Sequence, residues 1–413
     1  MHTTYCMSSK IYGHIYINST FHLQIFRLGY KDSIVFRFDI LLFAQEPSMT
    51  EKSTKTPKSF SEKMIDILNF GALNLAMAIG YRTGLFDVMD AFDTPQSIKA
   101  IANQANLNAR YIKEWLGVMV SGEIVELSIG ECGDNRFYLP KAHGDFISRR
   151  AGNSNLGVYT QEIPLLTSCA MEAVIEGFIT GDGVAYNRYP KFQAFMSQLA
   201  DAKHRQVLVD KFLPSVDDGR LMGRLQSGIR VCDLGCAEGL ALMLMAKAFP
   251  NSSFVGIDIS QEAIETARSD ASRQARDNLE FVLLDAAGLK DALEFKDAFD
   301  YVTAFDAVHD QTRPLDVLQG IYFILAPGGL FSMVDIAARS NLADNLDHPM
   351  GPFLYTVSLM HCMPVGMVDG GTGLGMMWGR EKAVKMLAKA GFENIQVLEI
   401  SEDPFNLHYF CRK

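Results

Sequence analysis

The spacing of apolar residues changes near residue 228 and divides the chain in two. From Gly228 onward, short apolar runs alternate with stretches of helical period, the pattern of a parallel sheet covered by helices on both faces. The runs predict strands over 229–234, 253–257, 279–284, 299–305, 329–335, 394–400 and 405–412, with helices between them.

Before residue 228 the period is helical. From Ser61 to about Leu107 it predicts helices, and residues 72–80 are apolar on nearly every face, which suits a helix buried between neighbours or between subunits. A shorter helix is expected over 97–105, and Asn108 is placed as the N-cap of another over 109–120. Ile124–Leu127 and Arg136–Leu139 flank a turn rich in Gly, Asp and Asn and read as a small hairpin. Three helices and a hairpin outline a winged helix. The chain thus divides into an N-terminal extension over 1–58, whose first 48 residues share no periodicity with the rest of the chain, a winged-helix-like dimerisation domain over 59–150, a helical connector over 151–227 and an α/β domain over 228–413.

Composition narrows the function classes. With 48% hydrophobic and 21% charged residues the chain has the material for a packed core. Its net charge of −10 argues against nucleic acid and acidic lipid as partners. The winged-helix region counts nine Lys/Arg against eleven Asp/Glu, a balance of −2. Its would-be recognition helix offers only Arg110 and Lys113, with Glu114 beside them, so dimerisation or lining of a site is expected there instead of DNA binding. Seven cysteines without a CxxC pair or Cys/His ligand spacing read as reduced thiols of a cytoplasmic protein with no metal centre. No unbroken run of eighteen apolar residues marks a membrane span.

The chemistry gathers at the predicted strand ends. Ile229-Arg-Val-Cys-Asp-Leu-Gly-Cys-Ala-Glu-Gly239 runs from a strand through a glycine-rich turn into a helix, where close backbone approach and free N–H groups favour a ligand. The glycines stand at 235 and 239 with Ala237 between them, not at the G-x-G-x-x-G spacing of a dinucleotide site. Asp233 has no part in a pyrophosphate scheme but suits a cationic amino group, which S-adenosylmethionine carries. Asp258 closes the second strand and can accept from two ribose hydroxyls, and Asp285 closes the third near where an adenine edge would lie. Each acid alone could instead cap a helix. Three in register point to a ligand.

These motifs resemble the class I S-adenosylmethionine-dependent methyltransferases: Asp233–Gly239 their first motif, Asp258 their second, Asp285 their third, and Ala326-Pro-Gly-Gly-Leu330 their turn before the fifth strand. Ala237 departs from the usual glycine. The resemblance covers about residues 228–413 and implies a Rossmann-like seven-stranded sheet with its last strand antiparallel. It also implies that Asp233, Gly235, Cys236, Ala237, Gly239, Asp258, Ile259, Asp285, Ala286 and Phe305 hold S-adenosylmethionine, which leaves as S-adenosylhomocysteine. A winged-helix-type domain ahead of this fold is similar to the small-molecule O-methyltransferases, usually homodimers, in which Phe192-Gln-Ala-Phe-Met196 would cover the methionine end of the cofactor. Ala307-Val-His-Asp-Gln311, Met360-His-Cys-Met363 and Gly373-Leu-Gly-Met-Met-Trp-Gly379 resemble a two-domain group known from mycobacteria.

In the plant-type O-methyltransferases a His-Asp pair in the position of His309 and Asp310 supplies the general base, and an imidazole suits deprotonation of a phenol. Capping or a loop hydrogen bond is the alternative for His309. The stretch 348–379 holds six methionines with Phe353, Tyr355, His361 and Trp378, and is expected as a long loop walling an apolar acceptor pocket, with Met360, His361, Met363 and Trp378 touching the acceptor. The expected reaction is methylation of a small apolar, aromatic-type molecule, at oxygen with His309 as base. Carbon methylation of a quinone-like ring and a cofactor-responsive DNA-binding regulator are the alternatives.

Overall fold

The computed structural model describes residues 59–413, so the expected extension over 1–58 lies outside the described residues. Helix α1 (Phe60–Arg82) opens on a capping box in which Ser59 and Glu62 satisfy each other's backbone amides. It is followed by α2 (Leu85–Asp90), α3 (Ile98–Ala105) and α4 (Ala109–Ser121), whose N-cap Asn108 accepts from the Arg110 amide. Strands β1 (Glu126–Ile129) and β2 (Asn135–Tyr138) form the antiparallel hairpin of the wing. Small residues let α1 and α4 meet. The Trp115 indole donates to the Ala76 carbonyl at 2.9 Å, and a Cβ on Gly80 would stand 2.5 Å from the same ring.

Only the inner face of α1 is covered, and Phe60, Ile65, Leu68, Phe70 and Ile79 remain exposed. By length and composition, Phe60–Arg82 and Gly157–Thr180 are each apolar enough to cross a membrane. Neither shows as an unbroken apolar run, because Asn69, Gly71 and Asn74 interrupt the first without removing its high mean hydropathy.

After α5 (Lys141–Ile147) come the long helices α6 (Glu162–Thr180) and α7 (Pro190–Val207). They do more than connect. Leu166 and Val174 of α6 and Phe192 of α7 share a buried cluster with Val357 and Val365, far along the chain.

The α/β domain carries seven strands in the order β5-β4-β3-β6-β7-β9-β8: β3 (Arg230–Leu234), β4 (Ser253–Asp258), β5 (Leu279–Leu283), β6 (Phe299–Phe305), β7 (Leu325–Ile336), β8 (Glu393–Glu399) and β9 (Asn406–Arg412). β9 runs antiparallel to both its neighbours and the strands from β5 to β7 are parallel. Seven strands stand where seven are predicted, with the last antiparallel, and their ends fall within a residue of those expected except at β7. β7 begins at Leu325, and Ala326-Pro-Gly-Gly329 lies inside it where its register against β6 shifts between Phe299 and Tyr301. Val302 and Phe331 face one buried layer, Tyr301 and Leu330 the other, so the sheet is covered on both sides and only its strand ends are open to a ligand.

Candidate active site

A cavity of about 1660 Å³ opens at the carboxyl ends of the parallel strands. Small-molecule sites usually run to roughly 300–1,000 Å³, so this one has room for two ligands side by side. Its walls come from α6 and α7, the turn after β3, the ends of β4 to β7, the 350–376 segment and the turn before β9.

One end is built by backbone. Gly235, Ala237 and Gly239 all have positive φ (69°, 47° and 78°), so the usual glycine preference at 237 has a steric cause and Ala237 occupies a strained left-handed conformation. The turn is held by Asp258, whose Oδ2 accepts from the Ala237 amide at 2.9 Å and whose Oδ1 accepts from that of Ser260 at 2.8 Å. A Cβ on Gly235 would stand 2.6 Å from that of Ala307, so this glycine lets the turn pack against the loop that carries His309.

Asp233 is buried beneath, its Oδ1 accepting from the Thr303 hydroxyl at 2.6 Å. Burial pushes its carboxyl up to about 7, the Thr303 bond opposing and the Asp258 charge adding to the rise. An acid held so high in a cavity wall has room for a cationic partner. At Asp285 the capping alternative is realised, since Oδ1 accepts from the Ala287 amide at 2.9 Å while Oδ2 pairs with Arg313 at 2.9 Å. Gly235, Cys236, Ala237, Gly239, Ile259, Ala286, Phe305 and Met196 all line the cavity with these acids, and so does His204, which spacing alone did not single out. The face Phe192-Met196-Ala200-His204 of α7 was the available signal. Burial, with Lys203 adding, lowers His204 to about 4, and its ring centroid lies 5.0 Å from that of Phe305.

The other end is built by helices. The segment expected as a loop winds into Gly351–Val357, a π-turn over Ser358–Cys362 and Met363–Gly366. Leu354, Val357, His361 and Val365 keep helical spacing and are buried, which makes a free lid impossible. The π-turn aims His361 inward against Tyr189 and Phe192, with ring centroids at 4.7 and 4.8 Å, while the Tyr189 hydroxyl donates to the Met360 carbonyl at 2.8 Å. Of the four residues expected on the acceptor, His361 lines the cavity and Met360, Met363 and Trp378 do not; Met350, Phe353 and Met376 stand there instead.

Between the two ends lies His309, buried on the loop after β6. Its Nδ1 is 2.8 Å from Asp335 Oδ1, and its Nε2 is 3.3 Å from Asp310 Oδ1. The partner on Nδ1 is therefore Asp335 at the end of β7, and Asp310 sits on the nitrogen that would meet a substrate. Burial works against a charge on this ring, yet the Asp335 and Asp310 carboxylates outweigh it and hold its pKa well above the ordinary value. Trp378 serves this pair. Its indole donates to Asp335 Oδ1 at 3.1 Å, and the Ile336 amide donates to the same oxygen at 2.8 Å. Asp335, which the motif reading missed, was legible by the same strand-end rule that singles out the other acids. His309, Asp310 and Cys362 also bring donor atoms within 4.8 Å of one another, a set able to take a metal ion that Cys/His spacing did not suggest.

Residues 225–363 match the family model described as a methyltransferase domain. The chain carries a methyltransferase domain. Ahead of it, residues 71–149 match an Rv2258c-like winged helix-turn-helix domain. No curated protein matches the chain in sequence. Among solved structures, human N-acetylserotonin methyltransferase is 15% identical with a TM-score of 0.60, over 87% of this chain and 99% of that one. A mitomycin 7-O-methyltransferase is 14% identical at 0.58, over 86% and 98%. An O-methyltransferase family protein of Burkholderia thailandensis is 12% identical at 0.56, over 87% and 99%. At these identities the likeness shows a shared fold over most of each chain.

Proposed function

We propose that the protein moves a methyl group from S-adenosylmethionine to an oxygen of a small, apolar, aromatic-type acceptor, with His309 as the general base. The observation that carries this reading is the position of His309, backed by Asp335, between a glycine-turn end and an apolar helical end of one cavity. The donor residues fit the cofactor. Among the described residues no cation pairs with Asp233 in the wall, and Asp258 fixes the turn through the backbone amides of Ser260, Ala237 and Ile259 with acceptor capacity left for a hydroxyl.

When bound, the cofactor supplies an already activated methyl, so the protein's part is alignment and proton removal. Phe305 and Met196 shield the donor end, while Met350, Phe353 and Met376 exclude water from the acceptor. Asp335 holds the Nδ1 proton of His309 in place and stabilises the ring once Nε2 has taken the acceptor's proton, as Asp310 does from the other side. Carbon methylation of a ring makes less use of so basic a histidine.

The exposed apolar face of α1 supports a homodimer formed through the N-terminal domain, since covering each such side chain is worth about 1.5–3 kcal/mol. DNA binding has less support. Arg110, Arg149 and Arg150 are engaged by Glu114, Asp87 and Asp90, which leaves few cations for phosphates.

The experiment is incubation with radiolabelled S-adenosylmethionine and a metabolite extract, then location of the label in the product. Label on an ether oxygen supports the reading; label on ring carbon, or no labelled product in any extract, overturns it. Light scattering of the full chain checks the dimer. Pre-treatment with a chelator is expected to leave turnover intact, and its loss would make His309 a metal ligand in place of a base.

A further inference from the structure

We propose that the acceptor carries a protonated amine, received at the end of the cavity by Glu162 with Tyr159 and Asp306 beside it. This rests on the acceptor reading above and names its chemical class.

Glu162 opens α6 and is 5% exposed, yet among the described residues no hydrogen bond or ion pair reaches its carboxylate, which lines the cavity. Burial alone pushes it up to about 8. An acid that served only the helix dipole would do so from the surface, hydrated. One turn earlier, Tyr159 stands in the fields of Glu162, Asp306 and Asp403, and its ring packs 5.7 Å from that of Phe405. The next residue, Asn406, donates to Asp306 Oδ2 at 3.2 Å, while Asp306 Oδ1 is buried with no partner.

Asp306 lies in the field of the Lys203 ammonium, which is spent on Asp403, and Glu162 has no charged partner among the described residues. Uncompensated acids in an apolar wall are costly, and a cation arriving with the ligand relieves them. Asp306 lies three residues before His309 on the same loop and both line the cavity, so a small molecule that offers an amine to the first can offer its oxygen to the second. A carboxylate-bearing acceptor would meet only repulsion there.

Tyramine, 4-ethylphenol and 3-(4-hydroxyphenyl)propionate share the phenol and differ in charge. Calorimetric titration of the full chain, with and without S-adenosylhomocysteine, is expected to show tyramine binding about ten-fold or more tighter than 4-ethylphenol, as a charge-assisted hydrogen bond would give, with the propionate weakest. Glu162→Gln should bring tyramine to the level of 4-ethylphenol with S-adenosylhomocysteine affinity unchanged, which also reports that the variant is folded. Equal affinity for all three, no binding of any at millimolar concentration, or a preference that survives Glu162→Gln overturns the proposal. Failure of S-adenosylhomocysteine to bind strikes the donor assignment alone, because the amine preference is read in its absence too.

Discussion

The two ends of the cavity are made in different ways. The donor end is a set of strand termini and one turn, fixed by backbone groups: three positive-φ residues, and amides of Ala237 and Ser260 held by Asp258. The acceptor end is a set of side chains brought by α6, α7 and the 351–366 helices, which touch only through tertiary packing. The first end is a property of a local segment, the second of a folded whole. Their residues should therefore fail in different assays.

The largest expected effect separates them most cleanly. His309→Ala should lower turnover by about 10²–10⁴-fold and leave S-adenosylhomocysteine affinity unchanged; kinetics and calorimetry on one preparation decide it. Turnover that survives at neutral pH would remove His309 as base. Asp258→Ala should do the reverse, weakening S-adenosylhomocysteine by about 100-fold through lost charge-assisted bonds and a loosened turn. Equal binding would sink the donor assignment.

A finer test uses the pH profile. Because Asp335 and Asp310 raise His309, its unprotonated form grows only above neutrality, and turnover should climb with pH through that range. Asp335→Asn removes one of the two carboxylates, so the rising limb should move to lower pH; a limb that stays put would mean another group titrates. The same shift ties stability to pH. A histidine whose pKa is higher folded than unfolded contributes fully below about 6.5 and loses that contribution as pH rises through the folded value, which chemical denaturation at pH 6 and 9 would register. The smallest effect is Ala237→Gly, which relieves the left-handed strain at 237 and should raise stability by up to about 1 kcal/mol with cofactor affinity intact. Destabilisation would mean the turn is not strained there.

The contrast also explains what could be read before folding. The glycine turn, Asp233, Asp258 and the seven strands were legible because each is set within a few residues: an apolar run, then a glycine, then an acid. At the acceptor end composition was legible and position was not. The methionines and Trp378 announced an apolar region, but helical winding turned Met360 and Met363 away from the cavity, and the turn before Arg380 gave Trp378 to Asp335. Glu162 and His204 were hidden for the same reason. A polar residue on an amphipathic helix looks solvent-facing until a partner from elsewhere in the chain covers that face.

The cluster of Leu166, Tyr189, Phe192, Val357 and Val365 has its own members, apart from the two layers that flank the sheet. Substitutions can accumulate in it without disturbing the strand termini. A lineage carrying this architecture is free to exchange one acceptor for another by redrawing three helices, while selection on the donor end continues undisturbed. Divergence among descendants should be concentrated in 162–195 and 351–366, and those two stretches should change together.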